Sequence, residues 1–191
     1  MYRNSYYPYQ WHNSIHDYWN NINWRNNGHC HYYNGNNTNW HLYKLADYGQ
    51  RPFVVNIDQA TKQNNTYRTA LWTGKHLQVT LMSINVGDDI GLEVHPTTDQ
   101  FLRIEEGQGL VQMGESKENL NFQEMACDGY AIMVPAGTWH NVTNMGQTPL
   151  KIYAIYAPPE HPYGTVHVTK ADAMSENKAI IVNGSSKLGR T

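Results

Sequence analysis

The chain has 191 residues and a formal net charge of -2, a length that suits one domain with a core needing no disulfides. Only 16% of the residues are charged, against about 25% in an average globular protein, and Asn fills the gap, with 21 copies, 11 of them before residue 40. This balance argues against a protein held to nucleic acid by phosphate contacts, and no run of about 18 apolar residues offers a membrane-spanning helix.

Residues 1–43 hold four of the six Trp, eight of the 14 Tyr and five of the ten His, but only Arg3, Asp17 and Arg25 carry charge. With Ile15, Ile22 and Leu42 as its only large aliphatic residues, this stretch cannot build a core of its own. It reads as a low-complexity tail of aromatic stickers and Asn/Gly spacers, suited to self-association. Met1 to Gln10 lacks the apolar stretch of a signal peptide. Cys30 and Cys127 make no CxxC pair, which fits a reduced compartment without a disulfide framework. The adjacent His29, Cys30 and His31 are a weak soft-metal candidate, because three neighbours rarely chelate one ion well.

From Leu45 the character changes. Residues 51–58 predict a first strand and residues 59–70 a loop or short helix. Strand-like runs follow at 76–86, 100–106, 109–113, 130–134, 140–144 and 149–157, separated by Gly and Asp turns. Short strands at this spacing indicate an all-β sandwich or barrel. Residues 170–179 suit a short terminal helix and the last residues a loose end. The division is therefore a tail over 1–43, a barrel over 44–175 and an extension over 176–191.

Two blocks concentrate metal-ligating side chains. In the first, Glu93 and His95 are two residues apart, so on a strand they share one face, and Gln100 begins the returning strand toward that face. Asp99 has the wrong parity to take its place. In the second, Pro135-Ala-Gly137 turns the chain and His140, Val142 and Asn144 share a face. An inward set of Glu93, His95, Gln100 and His140 suits a divalent ion: Zn, Mn, Fe or Ni. Leu102, Ile104, Val142 and Met82 are expected to wall the cavity, Asn144 to fix a turn, and Arg103 to face outward into a salt bridge. Gly87, Gly107, Gly129, Pro135 and Gly137 read as turn formers. His161 and His167 read as surface or packing residues.

The spacing of these blocks resembles the paired motifs of the cupin superfamily. Gly87, Glu93, His95, Gln100 and Gly107 occupy the fixed positions of the first motif, and Gly129, Pro135, Gly137, His140 and Asn144 those of the second. Glu93 stands where the family has its first His, and Gln100 where it has its Glu, so the carboxylate has changed place while the summed ligand charge is the same. The resemblance implies a double-stranded β-helix, the cupin or jelly-roll barrel, and it is nearest to small bacterial mannose-6-phosphate-isomerase-like cupins.

That resemblance implies binding or conversion of a small, sugar-like molecule beside the metal. Metal-dependent isomerisation is the expected chemistry, ahead of dioxygenation, with Glu93 as the candidate general base if it is not coordinated. Two other readings stand beside it. The tail resembles those of spore-coat and exosporium proteins, which would make the barrel an assembly module; alternatively the barrel is a non-catalytic binding module. The expected setting is the cytoplasm or the spore surface of an endospore-forming bacterium. The expected partners are a small-molecule ligand and a second copy in a homodimer, with residues 45–58 available to cover a strand edge, and no nucleic acid or membrane.

Overall fold

The computed structural model describes residues 42–175. The expectations for the tail through residue 41, including His29, Cys30 and His31, and for the extension over 176–191 lie outside the described residues.

Among the described residues, nine strands form two antiparallel sheets. They are β1 Arg68–Thr73, β2 Gln78–Ile84, β3 Asp99–Glu106, β4 Gln108–Gly114, β5 Phe122–Cys127, β6 Ala131–Val134, β7 Trp139–Asn144, β8 Leu150–Ala157 and β9 Val166–His167. The larger sheet runs β6-β3-β8-β2-β1-β9 and the smaller β5-β4-β7. This is the double-stranded β-helix that the motif spacing implies.

The strands alternate because each has one face inside the barrel. Leu150, Ile152, Ala154 and Tyr156 of β8 are each 0% exposed. Cross-strand register stacks the interior in layers. Ile84 and Leu150 pair at one end, followed by Met82, Ile152 and Ile104, then Thr80, Ala154 and Leu102, and finally Gln78, Tyr156 and Gln100. The interior therefore runs from aliphatic to polar along its length. The expected wall residues Met82, Leu102, Ile104 and Val142 all belong to the buried cluster at the barrel's centre.

A second cluster covers the outer face of β1 and β2. Leu71 and Leu81 pack there against Phe53, Val55 and Ile57. The predicted strand over 51–58 is not a strand. Its alternation is real, since Val54 is 96% exposed between two packed neighbours, but it lies on a sheet face and not at an edge. Asn56 then ends it by accepting a hydrogen bond from the Gln59 amide at 3.2 Å, which caps helix α1 (Ile57–Gln63). Within the chain, residues 45–58 thus cover their own sheet: the Tyr48 amide donates to the Leu71 carbonyl, and Trp72 Nε1 to that of Arg51.

The turn residues act as their positions require. Gly107 has φ +96°, and a Cβ there would meet the Leu150 backbone at 3.3 Å. Asn144 fixes the β7–β8 turn as expected, donating to the Ile84 and Thr148 carbonyls and accepting from the Gly146 amide, each at 2.9 Å. Residues 170–175 are helical. No helix among the described residues is long and apolar enough to cross a membrane.

Candidate functional site

Glu93 and His95 reach the barrel's polar end by a route other than a regular strand. The segment leading to Glu93 lays itself along β7. The Gly87 amide donates to Asn144 O, the Ile90 amide to Val142 O, and Glu93 and His140 exchange both backbone hydrogen bonds, at 3.1 and 2.9 Å. That pairing sets the Glu93 and His140 side chains next to each other. Two residues on, the His95 carbonyl accepts from the Gly137 amide, which ties it to the second motif's turn.

The three side chains converge. Glu93 Oε1 is 3.4 Å from His95 Nε2 and 3.5 Å from His140 Nε2. Glu93, His95 and His140 form a group able to hold a metal ion, their ligand atoms all within 4.8 Å of one another. Two atoms each about 2.1 Å from a shared ion stand roughly 3 to 3.5 Å apart, so the spacing fits. These facing atoms, Glu93 Oε1, His95 Nε2 and His140 Nε2, are buried without a hydrogen-bond partner, and so are both amide atoms of Gln100. Gln100 is 3% exposed and lies in register with Tyr156, whose ring meets His95 edge-on at 5.6 Å.

The outer nitrogens of both imidazoles are already committed. His140 Nδ1 is 2.9 Å from the Thr138 carbonyl. A carbonyl only accepts, so Nδ1 carries a proton and Nε2 is the ring nitrogen left to serve as a ligand. His95 Nδ1 lies 3.1 Å from Glu160 Oε1, the carboxylate–imidazole arrangement that orients metal-binding histidines. Burial disfavours a charged His95, but Glu160 and Glu93 raise its pKa to about 9. Burial likewise opposes ionisation of Glu93, yet the imidazoles of His140 and His95 and the Arg68 charge hold it well below the ordinary carboxylate range.

Sequence reasoning did not find four further residues here. Arg68 is 2% exposed, with its guanidinium 4.0 Å from Glu93 Oε2 and its Nε unpartnered. Its strand, β1, falls in a stretch read as loop or short helix. Tyr156 has a buried, unpartnered hydroxyl whose pKa burial raises to about 12; its inward parity with Ile152 and Ala154 was the available signal. Glu160, half-buried, also accepts from Thr98 Oγ1 at 2.9 Å. His161 is a packing residue, one of its two expected roles: its ring meets Tyr156 edge-on at 5.1 Å, and burial, then Arg68, lower its pKa to about 3. Both Glu160 and His161 follow Pro158-Pro159, where strand parity ends.

The expected outsiders stay outside. Asp99 is exposed and accepts from the Ala136 amide, and Arg103 is half-buried with its Nε 3.4 Å from the buried carboxylate of Glu105.

Comparison with known proteins agrees with this architecture. The cupin domain family matches residues 80–156. The protein YrkC of Bacillus subtilis is 71% identical over 131 residues, 69% of this chain and 70% of its own. A protein of Acanthamoeba polyphaga mimivirus is 39% identical over 119 residues, 62% of this chain and 72% of its own. The crystal structure of a Bacillus halodurans protein is 68% identical, with a TM-score of 0.68, and covers 69% of this chain and 99% of its own. With both motifs in register, the fold they imply and relatives this similar, the chain belongs to the cupin superfamily.

Proposed function

We propose that this barrel binds one divalent metal ion through Glu93, His95, Gln100 and His140 and holds a small molecule against it. The observation that carries the reading is the set of buried, unpartnered polar atoms at one end of the interior. Leaving such atoms unpaired costs about 1–3 kcal/mol each, and an ion would satisfy several at once. The outer partners of His95 and His140 hold their rings with Nε2 toward the ion. A bound metal would supply Lewis acidity, polarising a carbonyl or hydroxyl oxygen of the ligand.

Glu93 then serves as a ligand, and a carboxyl already held ionised in the metal-free protein is a poor base. Tyr156 remains protonated and is available to donate a hydrogen bond. Isomerisation of a sugar-like substrate is the finer reading, supported by the resemblance alone.

Elemental analysis of the purified protein tests the metal. The wild type should carry about one divalent ion per chain and His140→Ala far less. Full metal content in His140→Ala would remove it from the ligand set. Turnover of sugar phosphates that persists after chelation would defeat the isomerase reading.

A further inference from the structure

Arg68 is the feature that metal binding alone leaves unexplained. It sits inside the barrel, in register with Met82 on β2 and His167 on β9. It is 2% exposed, and burying a guanidinium is costly without an anion to pair with it. Its carboxylate neighbour is Glu93, at 4.0 Å, too far for a hydrogen bond. Arg68 Nε and Tyr156 Oη are buried and neither has a partner of good hydrogen-bond geometry, although the two side chains stand near enough to interact.

Charge points the same way, on the metal reading above. Metal-bound imidazoles are neutral. A divalent ion and Arg68 then outweigh Glu93 and Glu160 by one positive charge. Glu93 Oε1 faces the imidazoles and Oε2 the guanidinium, so a Glu93 that also serves the ion leaves Arg68 only a long, shared pairing.

We propose that the ligand of this site is a small carboxylate, placed with its anionic group on Arg68 and Tyr156 and a second oxygen toward the metal. The guanidinium offers a planar fork of donors that matches a carboxylate. A phosphate brings close to two negative charges and three oxygens, more than one cation and one hydroxyl can satisfy. The side chain of Glu93 is 19% exposed, although its Oε1 is buried.

The test is calorimetric titration of the metal-loaded protein with glycolate, its neutral analogue glycolamide, and inorganic phosphate. Glycolate should bind at least tenfold more tightly than either. Its affinity should fall at least tenfold in Arg68→Met and less in Arg68→Lys, each measured on protein loaded to one ion per chain. Equal binding of glycolamide, tighter binding of phosphate, or unaltered glycolate affinity in Arg68→Met would overturn the inference. Elemental analysis of the same samples separates the two ideas. A wild type that takes up no divalent ion overturns the metal reading and this inference together, whereas one ion per chain with no preference for glycolate overturns this inference alone. The wild-type comparison needs no variant, so it decides the matter even if Arg68→Met fails to fold.

Discussion

At His95 two acids face one imidazole, Glu160 at Nδ1 and Glu93 at Nε2. Its pKa in the metal-free protein is raised to about 9, above the ordinary value near 6.5. The charged form is therefore favoured by folding: its contribution to stability is complete below about pH 6.5 and is lost as pH rises through about 9. A metal at Nε2 must displace that proton. Apparent metal affinity should thus rise about tenfold per pH unit between roughly pH 7 and 9, as measured by competition with a chromophoric chelator. A flat profile would take His95 out of the ligand set. Glu160→Gln removes the acid that orients the ring. Above about pH 9, where the ring is neutral in both proteins, it should weaken metal binding about 10- to 100-fold while leaving one ion per chain at saturation, and it should move the bend of the pH profile to lower pH. Unchanged affinity and an unmoved bend would show that Glu160 does not act through His95.

At the scale of elements, Asn144 joins the end of β7 to the last carbonyl of β2 and to the turn before β8. Asn144→Ala should destabilise the barrel by about 1–3 kcal/mol in denaturant titration, because two carbonyls lose their donor. Leu81→Ala, in the outer cluster, should cost about 2–5 kcal/mol without changing metal content. The contrast between these two positions also explains what could be read in advance. Asn144 was legible through a fixed motif spacing, as were Glu93, His95, Gln100 and His140, because turn glycines and ligand-type side chains recur at set intervals whatever lies between them. Strands β2, β3, β4, β6, β7 and β8 were legible through alternation. Strand β5 was not, since it lies at a sheet edge with all but Ala126 exposed and so carries no inward stripe. Residues 51–58 misled for the opposite reason: they alternate, yet they pack on a sheet without joining one. Arg68 escaped because a buried charge inside a strand breaks the apolar pattern by which strands are recognised.

For the whole molecule, both described hydrophobic clusters draw on residues 43–173. The Bacillus halodurans relative matches 69% of this chain with 99% of its own, so a chain of little more than the matched region folds by itself. Deleting residues 1–41 should therefore leave the melting temperature within a few degrees and the metal content unchanged. A large fall in either would mean that the tail contributes to the barrel. The same deletion tests the spore-surface reading, which requires lost localisation with an intact barrel. The backbone bridge between Glu93 and His140 has a consequence in time as well as in space. One proposed ligand rides on a short segment zipped to β7, and the other on β7 itself. Peeling that segment away would separate the two, so the residence time of a bound ion would be bounded by how often the segment opens. Metal loading should accordingly slow hydrogen exchange at the Ile90, Glu93 and His140 amides more than at those of β8, whose two flanking strands hold it closed with or without an ion.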